Sequence, residues 1–161
     1  MLETKVEVEI VEFEGKFSKD FARLNYEWIE NYFAIEAHDR EMLDNPSEYI
    51  INRGGQIFMA IIGNQAVGTV ALINTDKKSF ELAKMAVSPN FQGLRIGEKL
   101  MTACIKFSVK VSKQRIFLLS NTKLIPAIGL YRKFAFREIP LDSETPYKRT
   151  DIQMELRLEY N

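Results

Sequence analysis

Gly93 and Gly97 lie in the run Gln92-Gly93-Leu94-Arg95-Ile96-Gly97, at the entry to a stretch with apolar residues at Ile96, Leu100, Cys104, Phe107 and Val111. That spacing predicts a helix with one buried face. Glycine at a helix entry lets backbone N–H groups approach a ligand, and the helix N-terminus offers free donors and a partial positive charge. The stretch is suited to an anion, above all a phosphate. It is no nucleotide P-loop, because no Gly-Lys-Ser/Thr follows. A dinucleotide fingerprint needs a third glycine early in a strand-helix-strand unit, and this run has two glycines past mid-chain.

The elements that must position the loop are legible in order. Phe80 to Val87 reads as an apolar strand closed by the turn Ser88-Pro89-Asn90. Upstream, Lys5 to Val11 alternates as a half-buried strand, and Phe17, Phe21, Leu24, Trp28 and Tyr32 recur at helical spacing. Asn45-Pro46-Ser47-Glu48 opens a short helix to about Asn52, ended by Gly54-Gly55. Ile57–Ile62 and Ala66–Ile73 are strands joined by a Gly63-Asn64 turn. Downstream come a strand at Arg115–Leu119, a helix at Asn121–Phe134, a strand at Phe136–Ile139 and an alternating strand at Asp151–Tyr160. This mixed order with antiparallel hairpins predicts an α+β fold, a mixed sheet with helices on both faces. A length of 161 residues predicts one domain over 1–161.

Gln92-x-x-Arg95-x-Gly97 resembles the acetyl-CoA pyrophosphate loop of the GNAT (GCN5-related N-acetyltransferase) superfamily, Gln/Arg-x-x-Gly-x-Gly/Ala, with Arg95 in place of the first glycine. The strand Glu81-Leu-Ala-Lys-Met-Ala-Val87 resembles the family's central strand, and the order of elements is that of the GNAT fold. The ending Tyr147-Lys-Arg149-Thr-Asp151-Ile-Gln-Met154 is similar to small bacterial members, including those fused to MarR-type regulators. The resemblance covers essentially the whole chain. It implies an enzyme moving an acetyl group from acetyl-CoA to a primary amine of a small molecule, amino acid or peptide. The alternative is a non-catalytic acyl-CoA-binding or interaction module on the same fold.

Acyl transfer to an amine needs a held CoA, a polarised carbonyl, a neutral amine and a proton for the departing thiolate. The resemblance assigns the pyrophosphate to the backbone of Gln92, Gly93, Leu94, Arg95, Ile96, Gly97 and Glu98, and the pantetheine to Met85, Ala86 and Val87. Asn121 is read as a further contact, displaced upstream of the family's asparagine; Leu124 stands at the usual spacing. Glu81 matches the strand glutamate that serves as base, often through water; the alternative is a solvent-facing strand charge. A carboxylate among apolar neighbours has a raised pKa, which suits a base. Tyr131, in Ala127-Ile-Gly-Leu-Tyr131, matches the tyrosine that protonates the thiolate; the alternative is a core-edge aromatic. Ala135 replaces a family glycine four residues on.

In this fold the region where the first helices meet walls the acceptor site. Glu30, Glu36 and Asp39 there would suit a cationic amine, whereas Tyr147 and Arg149 would suit a carboxylate; the alternative, favoured for each residue singly, is a solvated helix or loop charge. His38, the only histidine, is a second candidate base, with a surface position on the loop after the first helix as the favoured reading; Lys106, Lys110 and Lys113 are read as a solvated face. Cys104 is read as a small core hydrophobe, and one cysteine excludes both an internal disulfide and a cysteine-rich metal site. Lys+Arg 22 against Asp+Glu 22 argues against a nucleic-acid binder. No apolar run is long enough to span a membrane, and Met1-Leu-Glu-Thr-Lys5 lacks a signal peptide's apolar core. A cytoplasmic location follows by default, and pairing with a second copy is compatible with all of this.

Overall fold

The structure is a computed structural model that describes residues 6–160. Among these residues seven strands and five α-helices follow one another. They are β1 (Glu9–Glu12), α1 (Ser18–Tyr32), α2 (Ala37–Asp44), α3 (Pro46–Tyr49), β2 (Gln56–Ile62), β3 (Gln65–Asn74) and β4 (Ser79–Val87). Then come α4 (Ile96–Lys110), β5 (Arg115–Ser120), α5 (Ile125–Lys133), β6 (Arg137–Ile139) and β7 (Ile152–Arg157). The sheet order is β1-β2-β3-β4-β5-β7-β6. Every pairing is antiparallel except β4 with β5.

Strand alternation divides the core between the two sheet faces. Phe58, Val70, Leu72, Phe80 and Leu82 pack with Leu100 and Cys104 of α4. Ile57, Met59 and Ala71 pack with Phe21, Leu24 and Ile29 of α1 and Leu43 of α2. The two helix layers thus cover opposite faces of one mixed sheet, the α+β arrangement expected. Gly68 permits the close approach of α4: a Cβ there would sit 2.9 Å from Ile96 Cγ2 and 3.4 Å from Leu100 Cδ1. Cys104 is buried with them, as expected.

Several boundaries differ from the sequence reading. The first strand begins at Glu9, and Lys5, with the rest of the Met1–Lys5 stretch, lies outside the described residues. The helix after β5 starts at Ile125 with Pro126 in its first turn, which leaves Asn121 in the preceding turn. The last strand ends at Arg157, not Tyr160. The stretch around His38 is helix α2, closed by a capping box in which the Glu36 and Asp39 side chains cap each other's backbone. Lys113 is buried, its Nζ donating to Asn74 Oδ1 at 2.6 Å, so it leaves the solvated face that Lys106 and Lys110 keep.

Candidate active site

β4 and β5 pair only over Ser79–Arg115, Phe80–Ile116 and Glu81–Phe117. β5 then follows β7 as far as Ser120 opposite Ile152, so the two central strands part. On its other edge β4 is bulged against β3. Thr69 faces Ala86 and Ala71 faces Ala83, which leaves Lys84 and Met85 together opposite Val70. Lys84 carries the left-handed backbone of that bulge, with φ of 55°. The parting of the strands opens a cleft of about 470 Å³. Glu81, Met85, Val87, Gly97 and Tyr131 all line it.

The turn after β4 runs into α4 through two left-handed residues, Gly93 at φ 84° and Arg95 at φ 57°. Arg95 therefore adopts the conformation for which its position ordinarily uses glycine. The first backbone bond of α4 closes at Lys99 N–H to Arg95 O, 3.1 Å. The N–H groups of Ile96, Gly97 and Glu98 precede it, and helix geometry gives them no intrahelical acceptor. Gln92, Gly93, Arg95, Ile96, Gly97 and Glu98 line the cleft, while Leu94 packs against the core instead. A Cβ on Gly97 would stand 3.2 Å from Leu130 Cδ2, so this residue is where α4 and α5 come together. Glu98 pairs with Lys133 of α5. Ala86 faces the α1 side and does not line the cleft.

Burial pushes the Glu81 carboxyl up to about 7, against the opposing charge of Lys84. The side chain is neither a free surface charge nor one held in a salt bridge. Burial likewise pushes the Tyr131 phenol up to about 12; its ring lies 6.0 Å from Phe136. The turn after Tyr131 needs a left-handed residue, and Ala135 supplies it at φ 70°.

The expected substrate residues divide. Glu30 is exposed on α1 and lies off the cleft. Glu36, Asp39, Tyr147 and Arg149 do converge, but on one another. Arg149 Nη1 and Nη2 grip Asp39 Oδ2 and Oδ1 at 2.9 and 2.8 Å, and Nη1 reaches Glu36 Oε2 at 3.4 Å. Lys84 Nζ donates to Asp39 Oδ1 at 2.8 Å and to the Tyr147 hydroxyl at 2.6 Å. Asp39 is fully buried. The expectation that these carboxylates face an amine and Arg149 a carboxylate meets a different arrangement: around the buried Asp39, opposite charges pair with one another. Asn121 is similarly engaged, its Nδ2 donating to Arg149 O at 2.7 Å and its Oδ1 accepting from Lys123 N–H at 2.9 Å. His38 stands edge-on to Tyr147, 5.1 Å between ring centroids.

Two residues of this site were not picked out from the sequence. Lys84 had no local signal, since its role arises from the bulge. Asn25 is buried on α1 and lines the cleft, its Nδ2 donating to Phe21 O at 3.0 Å. A polar residue on the apolar face of α1 was the available clue.

The model of the acetyltransferase (GNAT) family matches residues 22–136. The chain belongs to the GNAT acetyltransferase family. A GNAT-family acetyltransferase from Staphylococcus aureus Mu50 is similar over 95% of this chain and 100% of its own, with TM-score 0.86 and 27% identity. Rat N-acetyltransferase 8B is 27% identical over 113 residues, 67% of this chain. The match spans half the length of that relative. The GNAT fold is also shared with the PaiA N-acetyltransferase of Thermoplasma acidophilum, crystallised with coenzyme A, at TM-score 0.75 and 17% identity over 94% of this chain and 99% of that one. Among the described residues no helix is long and apolar enough to cross a membrane, and no group of histidine, cysteine and carboxylate residues is placed to hold a metal ion.

Proposed function

We propose that this chain is a single-domain, acetyl-CoA-dependent N-acetyltransferase acting on a primary amine of a small molecule, amino acid or peptide. The observation that carries the reading is the cleft itself. The parting of β4 from β5 gives Glu81, the α4 entry loop and Tyr131 a common wall-lined space. The N–H groups at the start of α4 suit a pyrophosphate, and the edge of β4 beyond Glu81 suits an extended amide-bearing chain. Coenzyme A in the T. acidophilum relative supports the same fit. Acetyl-CoA supplies the acetyl thioester.

The chain's own residues then have complementary tasks. An alkyl ammonium has a pKa of about 10 and cannot attack until it loses a proton. Glu81, with a pKa of about 7, is ionised in a useful fraction at neutral pH and takes that proton directly or through water. The nitrogen forms its bond to the acetyl carbon as the carbon–sulfur bond breaks, with the electron pair leaving on sulfur. Tyr131 gives its proton to that thiolate. The second proton of the nitrogen restores the phenol, through solvent. A free thiol has a pKa of about 8.5, well below a buried phenol. The same burial raises a thiol, however, as it does at Cys104, which brings the two closer.

The decisive assay is a panel of amines with acetyl-CoA, read by free-thiol release and by the mass of the acetylated amine. Thermal melts with acetyl-CoA, CoA and NAD run beside it. A CoA-dependent melting shift with acetylation of at least one amine supports the proposal. A shift with NAD alone overturns the cofactor; binding with no turnover on any amine makes the chain an acyl-CoA-binding module.

A further inference from the structure

The charges around the cleft follow a pattern that bears on the acceptor. Of the cations that line it, Arg95 belongs to the α4 entry and Lys123 to the rim; Lys84 and Arg149 are both held by Asp39, and Arg149 also meets Glu36. The side chains of Lys84 and Asp39 are 4% and 0% exposed, so this pairing is shielded from water. A carboxylate entering here would have to draw Arg149 off Asp39 and leave a buried anion short of its partner, which is strongly unfavourable. The partners Asp39 and Glu36 do not themselves line the cleft; the acids that do are Glu81 and, at the α4 entry, Glu98, which is paired with Lys133.

What the wall presents besides is aromatic. Trp28 packs 5.2 Å from Tyr32 and 6.2 Å from Phe33, measured between ring centroids. Trp28 and Tyr32 line the cleft from α1, Phe33 from the residue after it, and Tyr147 from the loop before β7. Since α1 and α4 cover opposite sheet faces, this wall stands across from the anion loop. Asn25, buried on the same helix, lines the cleft beside them. At the rim Lys123 is exposed, with Nζ donating to Tyr32 O at 3.0 Å and lying 4.1 Å over Phe33.

We infer that the acceptor is a primary amine borne on an aromatic or similarly flat apolar group, with no carboxylate beside the amine. The inference rests on the acetyltransferase reading and narrows its acceptor class. Aromatic faces gain by stacking on such a group. Glu81 accepts from the ammonium, and the engaged guanidinium of Arg149 offers a carboxylate nothing.

The test uses matched acceptors on the intact protein. Phenethylamine is compared with phenylalanine and with phenylalaninamide, tryptamine with tryptophan, and cadaverine with lysine, each by thiol release with acetyl-CoA. The amide has the bulk of the amino acid without its charge. The aromatic amines should exceed their amino acids in kcat/KM by at least about tenfold, one step of about 1.4 kcal/mol, with phenylalaninamide near phenethylamine and both ahead of cadaverine. The intrinsic bias runs the other way, because an amino acid's α-amine is the more easily deprotonated. Equal or better use of the amino acids overturns the inference and leaves the acetyltransferase reading standing. So does a preference for cadaverine. Turnover of no amine, with the acetyl-CoA melting shift intact, overturns the inference together with the enzymatic reading. Asp39→Asn, which loosens Arg149, should narrow the gap between each amine and its amino acid. Because that variant removes a buried charge, Glu36→Gln is the milder companion and should move the ratio the same way by less.

Discussion

Lys84 Nζ stands 2.8 Å from Asp39 Oδ1, so the residue with the left-handed backbone of the β4 bulge also fastens helix α2 to the sheet. Asp39 in turn holds Arg149 by two bonds. One buried carboxylate therefore joins the bulge, α2 and the loop before β7.

That junction sets a stability prediction. Lys84→Met should destabilise the fold by about 2–4 kcal/mol in denaturant titration, toward the lower end for a broken buried pair because Arg149 stays with Asp39. Burial pushes the Asp39 carboxyl up, but the hydrogen bonds from Arg149 and the charge of Lys84 outweigh it and hold it well below the usual range. A depressed carboxyl contributes stability that is present above its unfolded pKa of about 4 and lost as pH falls below it. Denaturation midpoints measured from pH 5 to pH 2 should show that loss in the wild type. An equally steep loss in Asp39→Asn would assign it to other groups.

Glu81 should govern the acidic limb of turnover. Burial sets its pKa at about 7, so kcat with a saturating acceptor should fall through that pH as the carboxylate protonates. Glu81→Gln should lower turnover by roughly 10²–10⁴-fold at neutral pH, and by less at high pH where more amine is already neutral. The stability sign is opposite to that of Asp39. A carboxyl raised in the fold favours folding below the unfolded pKa of about 4 and loses that contribution as pH rises to about 7. A wild-type pH profile in Glu81→Gln would make the glutamate structural and send the search for a base elsewhere.

Tyr131→Phe should reduce kcat by about 10²-fold while the acetyl-CoA dissociation constant stays within a factor of a few, because the hydroxyl is needed after attack. Rapid-mix thiol release separates chemistry from product release. Unchanged single-turnover rates would leave Tyr131 as a packing residue against Phe136.

Gly97→Glu should abolish the acetyl-CoA melting shift. It adds a side chain where space to Leu130 is already short, and a negative charge at the helix end meant for an anion. Retention of the wild-type shift would move the phosphate away from this loop.

Much of this was legible because local chemistry and tertiary placement agree. The Gly63-Asn64 turn, the apolar strands around it and the glycine-flanked entry to α4 each keep in the fold what their residues favour alone. The strand glutamate and the helix tyrosine reach the cleft for the same reason. Helix α2 escaped notice because its cap is Glu36 with Asp39 rather than a serine or threonine, and only two of its apolar side chains are buried. Arg95 and Ala135 adopt left-handed backbone with side chains that ordinarily avoid it, so no residue type announced those turns. The engagement of Asp39 with Lys84 and Arg149 spans 45 and 110 residues of sequence, beyond what spacing within any one element reveals.

A strand at the centre of a seven-stranded sheet is normally sheltered on both sides, yet the second half of β4 is bare toward β5. Such a bare stretch is a template on which a stray chain can pair and begin an aggregate. Natural sheets blunt exposed edges with a bulge and with an inward-pointing charge, most often lysine. Lys84 lies three residues past the last β5 pair, in a bulge made against β3 on the other edge, and its ammonium turns to Asp39. The open half of β4 thus has neither device on its β5 side, and keeping a stray chain from it falls to the walls of the cleft around it.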